Sequence, residues 1–155
     1  MEEAMGEAQR LGAYLDEVRE AVLRTVAPLS EDQLNQRPPG LLNTPGILLR
    51  HLAGSERYWI HRTVGGEALQ RDREAEFALD VPVRKEEVLE EIRGVAERTR
   101  RILQGLADAA LEETVEVQRG SERGMATKRY AILHTISHYS YHLGQLRIYM
   151  RLLAS

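Results

Sequence analysis

The sequence contains no cysteine, which excludes disulfide bonds, a cysteine nucleophile and any metal site built on thiolates. Aromatic residues make up only 5%, with one tryptophan and one phenylalanine. Lysine is rare as well, because Lys85 and Lys128 are the only two among 21 basic residues. The positive charge of this chain is therefore carried almost entirely by arginine.

Long apolar runs and a strong net charge are also missing. No apolar run approaches the roughly 20 residues that cross a bilayer, so no membrane partner is expected. The acidic beginning, MEEAMGEAQR, lacks the basic and then apolar order of a signal peptide, and a cytoplasmic location is expected. The formal net charge is −3, without a basic stripe, so direct nucleic-acid binding is not expected.

Length and composition predict one globular domain. The chain has 155 residues, of which 43% are hydrophobic and 29% are charged. A chain of this size and composition can bury a core without disulfides. We therefore expect a single domain over residues 1–155.

Four segments space their apolar residues as amphipathic helices do. In the second segment we expect Thr44 to cap the helix, Pro45 to occupy its first position and Gly65 to end it. The predicted helices run from about Glu2 to Ala27, from Thr44 to Val64, from just after Pro82 to Leu106 and from Ala126 to Leu153. Residues 29–43 are predicted to form a loop, and residues 67–83 a polar connection that is partly helical.

One segment before the last helix does not have helical spacing. It reads LEETVEVQRGSERGMATK, in which Thr114, Val115 and Val117 favour a strand while Gly120 and Gly124 favour turns. A short hairpin or an extended arm is expected here. The chain is therefore predicted to be all-α, a four-helix bundle with a short extended segment before the last helix.

Histidine is the residue type that suggests chemistry in this sequence. Three of the five histidines, His134, His138 and His142, lie four residues apart on one row of the last helix, beside its apolar stripe. Residues at this spacing stack with their Cβ atoms roughly 5–6 Å apart, and two imidazoles so placed can reach one metal ion. A single histidine of this kind is more often a core or capping residue, but three in register favour a metal site.

A pair of ligands on one helix needs a further ligand from another helix. His51 shares a helix face with Leu48, Ser55 and Tyr58, so it is expected to point into the bundle. Alone, it would be interpreted as a buried histidine without a metal. His61 lies about 15 Å farther along the same axis, at ~1.5 Å per residue, which is too far to share the ion. We interpret His61 as a surface or interface residue.

The number of candidate ligands bears on function. Three imidazoles would leave at least one coordination position open, whereas a closed structural zinc site uses four protein ligands. An open site can polarise a carbonyl or lower the pKa of a bound water or thiol. Imidazole suits zinc, copper, iron and nickel alike, so the ligand type does not select the metal.

Two blocks of the sequence resemble the DinB/YfiT-like bundle superfamily, namely LSEDQLNQRPPGLLNTPGILLRHLAGSERYW and HTISHYSYHLGQLRIYMRLL. The resemblance implies a bundle of the up-down-down-up type. It also implies a metal, often nickel or zinc, held by one histidine of the second helix and two of the fourth. Matched by position, the implied ligands are His51, His138 and His142. His134 then either supports these ligands or replaces one of them.

Two further residues near the predicted ligands each have two interpretations. Glu56 follows His51 by five residues, about 140° around the helix at ~3.6 residues per turn. It either has a role at the site, as its family-like position hints, or forms a surface ion pair. Gln145 either hydrogen-bonds a ligand imidazole and sets its tautomer, or closes the helix interface.

The resemblance implies activity as a metal-dependent hydrolase, or as an S-transferase that uses a low-molecular-weight thiol such as bacillithiol or mycothiol. Because the chain has no cysteine, such a thiol must come from a cosubstrate, whose carboxylates Arg50, Arg57 or Arg62 can bind. The alternatives are a non-catalytic metal-binding or stress-response module, and an α-helical dimer with buried histidines and no metal. The wide apolar arc of the last helix favours a homodimer.

Overall fold

Four long helices make up most of the chain, of which the computed structural model describes residues 4–153. The elements are α1 (Glu7–Val26), α2 (Glu31–Leu34), α3 (Pro45–Glu56) with a π-helical continuation (Arg57–Val64), α4 (Arg73–Glu76), α5 (Lys85–Gln104), a 3₁₀ turn (Asp108–Glu112), β1 (Thr114–Arg119), β2 (Glu122–Thr127) and α6 (Lys128–Leu153). The two strands pair as an antiparallel hairpin. The predicted all-α bundle with a short extended segment before its last helix is confirmed. No helix within this range is long and apolar enough to span a membrane.

Capping residues explain where the helices begin. The Oγ1 of Thr44 accepts a hydrogen bond from the backbone N–H of Ile47 at 3.0 Å, and Pro45 occupies the first helical position, as expected. The predicted loop over residues 29–43 contains the short helix α2, which Ser30 and Gln33 begin with a capping box. The predicted start of the first helix at Glu2 lies outside the described residues.

The relative directions of the outer helices follow from two contacts at their ends. Arg129, at the start of α6, donates to Glu7, at the start of α1, with an Nε–Oε1 distance of 2.7 Å. These two helices therefore run parallel. Lys85, at the start of α5, donates from Nζ to the carbonyl of Ala27, just past the end of α1, at 2.8 Å. Helix α5 therefore runs antiparallel to α1.

The direction of α3 completes the topology. Arg57 donates to Glu91 of α5 at 2.7 Å, and one turn later Nε2 of His61 lies 3.2 Å from the carbonyl oxygen of Val95. Because the residue numbers rise together on both helices, α3 with its π-helical continuation runs parallel to α5. The predicted up-down-down-up arrangement is confirmed.

The core is built from aliphatic side chains of all four long helices. Each fully buried side chain of this kind contributes about 1.5–3 kcal/mol. Completely buried examples are Leu15 of α1, Leu49 and Leu52 of α3, Ile92 of α5 and Ile132 of α6. This packing sets α3 beside α6, which brings the histidines of the two helices next to each other.

A buried polar network also crosses the core, with Glu56 at its centre. The carboxylate of Glu56 accepts hydrogen bonds from Arg19 of α1 at 2.7 and 3.1 Å, from Thr99 of α5 at 2.5 Å and from Tyr139 of α6 at 2.8 Å. Glu56 is fully buried, so the surface ion pair that was one interpretation of this residue is wrong. Burial, and then the charge of Glu56, raise the pKa of Tyr139 well above its usual value, so the phenol stays protonated and donates.

Candidate metal centre

Three imidazole rings meet between α3 and α6. Nε2 of His138 lies 2.9 Å from Nε2 of His51 and 3.0 Å from Nε2 of His142. One ring nitrogen from each residue lies within 4.8 Å of the other two. His51 and His142 are buried, and His138 is half-buried. The structure thus brings together the three residues that the sequence predicted as ligands.

The outer nitrogen of His51 is held by a carboxylate. Nδ1 of His51 lies 2.9 Å from Oε1 of Glu76 on α4, and Arg71 donates to both oxygens of that carboxylate at 2.8 and 2.9 Å. Burial raises the pKa of Glu76, but hydrogen bonds from Arg71 and His51 outweigh it and leave the pKa below its usual value of 4.5. Glu76 is therefore an ionised acceptor. Nδ1 of His51 must carry the proton, and Nε2 presents a lone pair.

Helix α4 can approach α3 closely because residue 54 is glycine. A Cβ atom at Gly54 would clash with the carboxylate of Glu76. Sequence analysis did not identify Glu76, which lies in the segment predicted as a polar connection. The one local signal is Asp72, whose side chain accepts a hydrogen bond from the backbone N–H of Ala75 at 3.1 Å and begins α4. That signal predicts a helix start, but it does not predict which helical residue meets His51.

The outer nitrogen of His142 is held by an amide. Nδ1 of His142 lies 2.6 Å from Oε1 of Gln145, one turn farther along α6, as one of the two interpretations of Gln145 required. Burial lowers the pKa of His142 to about 4, although the hydrogen bond with Gln145 opposes this change. The ring is therefore neutral at pH 7. Because Nδ1 donates to the amide oxygen, Nε2 presents a lone pair.

His138 stands between the other two rings. Burial, and then the neighbouring imidazoles, lower the pKa of His138 to about 2, so it is uncharged at neutral pH. Its Nδ1 is buried without a hydrogen-bond partner among the described residues. Its Nε2 faces the lone pairs of both His51 and His142 and can donate a proton to only one of them. At least two lone pairs therefore point at one small volume, a donor arrangement that suits a divalent transition metal.

The two remaining histidines lie outside this group. His134 packs with its ring centroid 4.6 Å from that of Trp59 and 6.2 Å from that of His138. In residues 4–153, the only cluster with ligand geometry consists of the other three histidines, so His134 lies beside this cluster and outside it. His61 is buried, with Nε2 3.2 Å from the Oγ1 of Thr99. The interpretation of His61 as a surface or interface residue is wrong, because α5 packs across this face of the π-helical segment.

A cleft of about 880 Å³ opens beside His51 and His138, between the π-helical segment, the linker that follows it and the β-hairpin. Of the three arginines considered for carboxylate binding, only Arg62 lines this cleft. Arg50 instead donates to three backbone carbonyls between residues 76 and 81, and Arg57 pairs with a glutamate of α5. The hairpin supplies the outer wall, and its place beside the histidines is a tertiary contact that sequence analysis did not predict.

Two solved structures share this fold. A conserved protein from Enterococcus faecalis superposes with a TM-score of 0.74 at 18% identity, covering 97% of this chain and 99% of its own. YfiT from Bacillus subtilis, described as a probable metal-dependent hydrolase with an unusual four-helix bundle topology, superposes with a TM-score of 0.71 at 17% identity, covering 97% of this chain and 91% of its own. At these identities the likeness establishes the fold alone. No curated protein sequence matches the chain significantly.

The family comparison covers nearly the whole chain. The sequence profile of the mycothiol-S-transferase family matches residues 10–153. The match includes both sequence blocks on which the family resemblance depended, and it includes all three clustered histidines. The predicted membership of the DinB/YfiT-like superfamily is confirmed, and the chain belongs to the mycothiol-S-transferase family.

Proposed function

We propose that His51, His138 and His142 hold one divalent transition metal, zinc or nickel, in an open site. The observation that carries this proposal is the convergence of three Nε2 atoms, two of whose rings are oriented by Glu76 and Gln145. A closed structural zinc site would use a fourth protein ligand. Over the described part of the chain no fourth histidine or carboxylate joins the three, which favours a site that receives a substrate.

We further propose that the protein is an S-transferase that moves a low-molecular-weight thiol onto an electrophile. A divalent ion at this site supplies positive charge that favours the deprotonated form of a thiol. Because the chain has no cysteine, the sulfur must belong to the cosubstrate. The thiol loses its proton to solvent, its sulfur forms a bond to the electrophilic carbon, and the leaving group departs with the electrons of the broken bond. Mycothiol, which the family name specifies, is the first thiol to test.

The contribution of the protein itself is orientation. Glu76 and Arg71 keep the Nε2 lone pair of His51 aimed at the site, and Gln145 does the same for His142. Groups in this position raise ligand basicity and fix the ring tautomer. The cleft provides the approach for two reactants, since His51 and His138 form part of its wall.

Hydrolysis is the second candidate, because an open metal site can also activate water. The residues that line the cleft, within the described part of the chain, favour thiol transfer over hydrolysis. Its only carboxylate is Glu116, which is exposed on the hairpin, whereas Glu76 is already bonded to His51 and Arg71. A hydrolase would need a group within hydrogen-bond reach of the water to take its proton. A thiol supplies its own nucleophilic sulfur. Its pKa has to fall by less than that of water to give a reactive anion at neutral pH.

A homodimer is part of the proposal. On α6 the side chains of Leu133, Tyr141 and Ile148 are 46%, 64% and 58% exposed. Spacings of eight and seven residues place them on one helix face. An apolar face of this kind suits a two-fold contact between identical helices. The cytoplasmic location expected from the sequence stays a prediction.

Metal analysis tests the site. Protein purified without a histidine tag is expected to contain close to one metal ion per chain by mass spectrometry. The variants His138→Ala and His142→Ala are expected to lose it, because two ligands do not retain the ion through purification. The matched control His134→Ala removes a histidine from the same helix row without removing a ligand, and it is expected to keep the metal. Unchanged metal content in both ligand variants would overturn the site.

Activity is the second stage of the experiment. Metal-loaded protein is assayed for conjugation of mycothiol, bacillithiol and simpler thiols to a panel of electrophiles, and for hydrolysis of ester and amide substrates. Thiol consumption that is lost in His138→Ala and kept in His134→Ala supports the S-transferase. Hydrolysis without thiol consumption would replace it with the second candidate. Metal binding with neither activity would favour the non-catalytic module.

A further inference from the structure

We propose that the cleft beside the three histidines binds a small molecule that carries at least two anionic groups, carboxylates or phosphates, and that Arg119 and Arg123 of the β-hairpin are its main recognition residues. The inference rests on the proposed function in one respect, since it names the substrate class of the same site. It is drawn from the charge of the cleft wall, which is independent of the metal.

The cleft concentrates positive charge in a chain that is negative overall. Five of the sixteen residues that line it are arginines, against nineteen arginines in 155 residues, and one lining residue, Glu116, is acidic. The five arginines are Arg62, Arg71, Arg73, Arg119 and Arg123. The wall therefore carries a formal charge of +4, while the chain as a whole carries −3. Clefts lined by one sign of charge focus the field and attract ligands of the opposite sign.

Most of this charge is not neutralised by the protein. Arg71 pairs with Glu76. Within residues 4–153 none of the other four arginines of the cleft forms an ion pair with a carboxylate oxygen within 4.0 Å. Arg62 donates instead to the backbone carbonyl of Glu116 at 2.6 Å. A carbonyl satisfies one N–H group but leaves the guanidinium charge in place.

Aromatic rings hold the guanidinium groups of Arg119 and Arg62 in position. The Cζ of Arg119 lies 5.4 Å from the ring centroid of Trp59 and 4.7 Å from that of Tyr130. The Cζ of Arg62 lies 5.2 Å from the ring centroid of Tyr58. Stacking on aromatic faces orients a guanidinium without consuming its N–H donors. The free edge of a stacked guanidinium is the group that binds a carboxylate or phosphate through two parallel hydrogen bonds.

Several like charges around one cleft repel one another. An anionic ligand relieves this repulsion when it binds, and the relief adds to its affinity. A neutral ligand of the same shape would leave the arginines uncompensated. We therefore expect the acidic groups to contribute most of the affinity, through Arg119 and Arg123 at the outer wall. The thiol or electrophilic part of the ligand would then lie toward His51 and His138, which line the same cleft.

Calorimetric titration with matched small molecules tests this inference. Succinate carries two carboxylates, and succinamide is its neutral analogue of similar shape. We expect succinate to bind with an affinity that falls as sodium chloride is added, and succinamide to show no measurable binding. The fluorescence of Trp59, the only tryptophan of the chain, is expected to change with succinate, because this ring lies in the cleft wall beneath Arg119.

Charge-removing variants locate the binding groups. Arg119→Gln and Arg123→Gln are each expected to weaken succinate binding by about tenfold, the loss typical of one charged hydrogen-bonding group. The matched control Arg93→Gln removes the same charge from an exposed position on α5, outside the cleft, and is expected to change the affinity less than twofold. Equal weakening in all three variants would show that binding depends only on the net charge of the protein, and it would overturn the inference. Equal binding of succinate and succinamide would also overturn it.

A thiol probe distinguishes which reactant carries the anionic groups. If mercaptosuccinate binds metal-loaded protein more tightly than metal-free protein while succinate does not, the acidic groups belong to the thiol. If both bind equally to both forms, the acidic groups belong to the electrophile. Both outcomes keep the anionic cleft. Anion binding to a protein that holds no metal would contradict the proposed function but not this inference. A metal-loaded enzyme that prefers neutral reactants would contradict this inference but not the proposed function.

Discussion

Nδ1 of His51 lies 2.9 Å from Oε1 of Glu76, so a carboxylate from a four-residue helix orients the ring that faces the two histidines of α6. Glu76 is held in turn by two hydrogen bonds from Arg71. The arrangement links the candidate metal centre to the connection between α3 and α5, which also contributes to the cleft wall. The ring orientation of His51 and the shape of the cleft therefore depend on the same loop.

The variant Glu76→Gln is expected to weaken metal binding by about 10–100-fold, the usual effect of losing such a supporting group. The amide is a weaker acceptor than the carboxylate, so His51 becomes a less basic ligand with a less fixed ring. Competition against a chromophoric chelator measures the affinity. Glu74→Gln, at an exposed position of the same helix, is the control. Equal affinities for the two variants would show that Glu76 has no role in binding.

A methyl group at residue 54 is expected to weaken metal binding, although it does not contact the metal. In Gly54→Ala the new Cβ meets the carboxylate of Glu76, so either this side chain or α4 must move and His51 loses its partner. Metal affinity should fall toward that of Glu76→Gln. Gly94→Ala is the matched control, because a Cβ there meets no atom within 4 Å. This control should keep the metal affinity and gain about 0.5–1 kcal/mol of stability from its helical position.

Loss of the central carboxylate of the core is expected to be costly. Glu56→Ala leaves Arg19 buried without its main partner, and breaking a buried pair on one side destabilises by about 3–5 kcal/mol. Urea denaturation measures the free energy of unfolding. Glu91→Ala breaks the half-exposed pair with Arg57, and it should cost only about 0.2–1 kcal/mol. A similar decrease in the free energy of unfolding in both variants would mean that the buried network adds little stability.

The stability of the metal-free protein is expected to fall as the pH drops below 6.5. Burial lowers the pKa of His61 below its usual value of 6.5, so the unfolded chain binds a proton there before the folded chain does. Protons then favour unfolding, at up to about 1.4 kcal/mol per pH unit for this group. Urea denaturation between pH 7.5 and 5.5 measures the slope. His61→Gln should show a shallower slope, and an unchanged slope would contradict the assignment.

The exposed face of α6 is expected to mediate dimer formation. Tyr141→Glu places a charge within the apolar face and should convert the dimer into monomers, as measured by size-exclusion chromatography with light scattering. Tyr14→Glu introduces the same change on α1, where Tyr14 is also 52% exposed, and should leave the dimer intact. A wild-type protein that is monomeric at micromolar concentration would rule out this interface.

Local periodicity was sufficient to predict the four long helices and two of the three histidines of the candidate centre. The spacing of His138 and His142 is a property of one helix, so their proximity follows wherever that helix forms. The inward direction of His51 follows in the same way from its apolar neighbours on α3. The hairpin was predicted because β-branched residues and glycines act over a few positions.

Only the tertiary structure determined what surrounds those three residues. Glu76, Arg71 and Arg119 come from a linker and a hairpin, whose positions depend on contacts between residues far apart in the chain. Glu56 was placed at the surface by one interpretation and His61 by another, yet both are buried because α1, α5 and α6 close over those faces. Helical spacing states which side chains share a face, and the packing of neighbouring helices determines whether that face meets solvent, core or substrate.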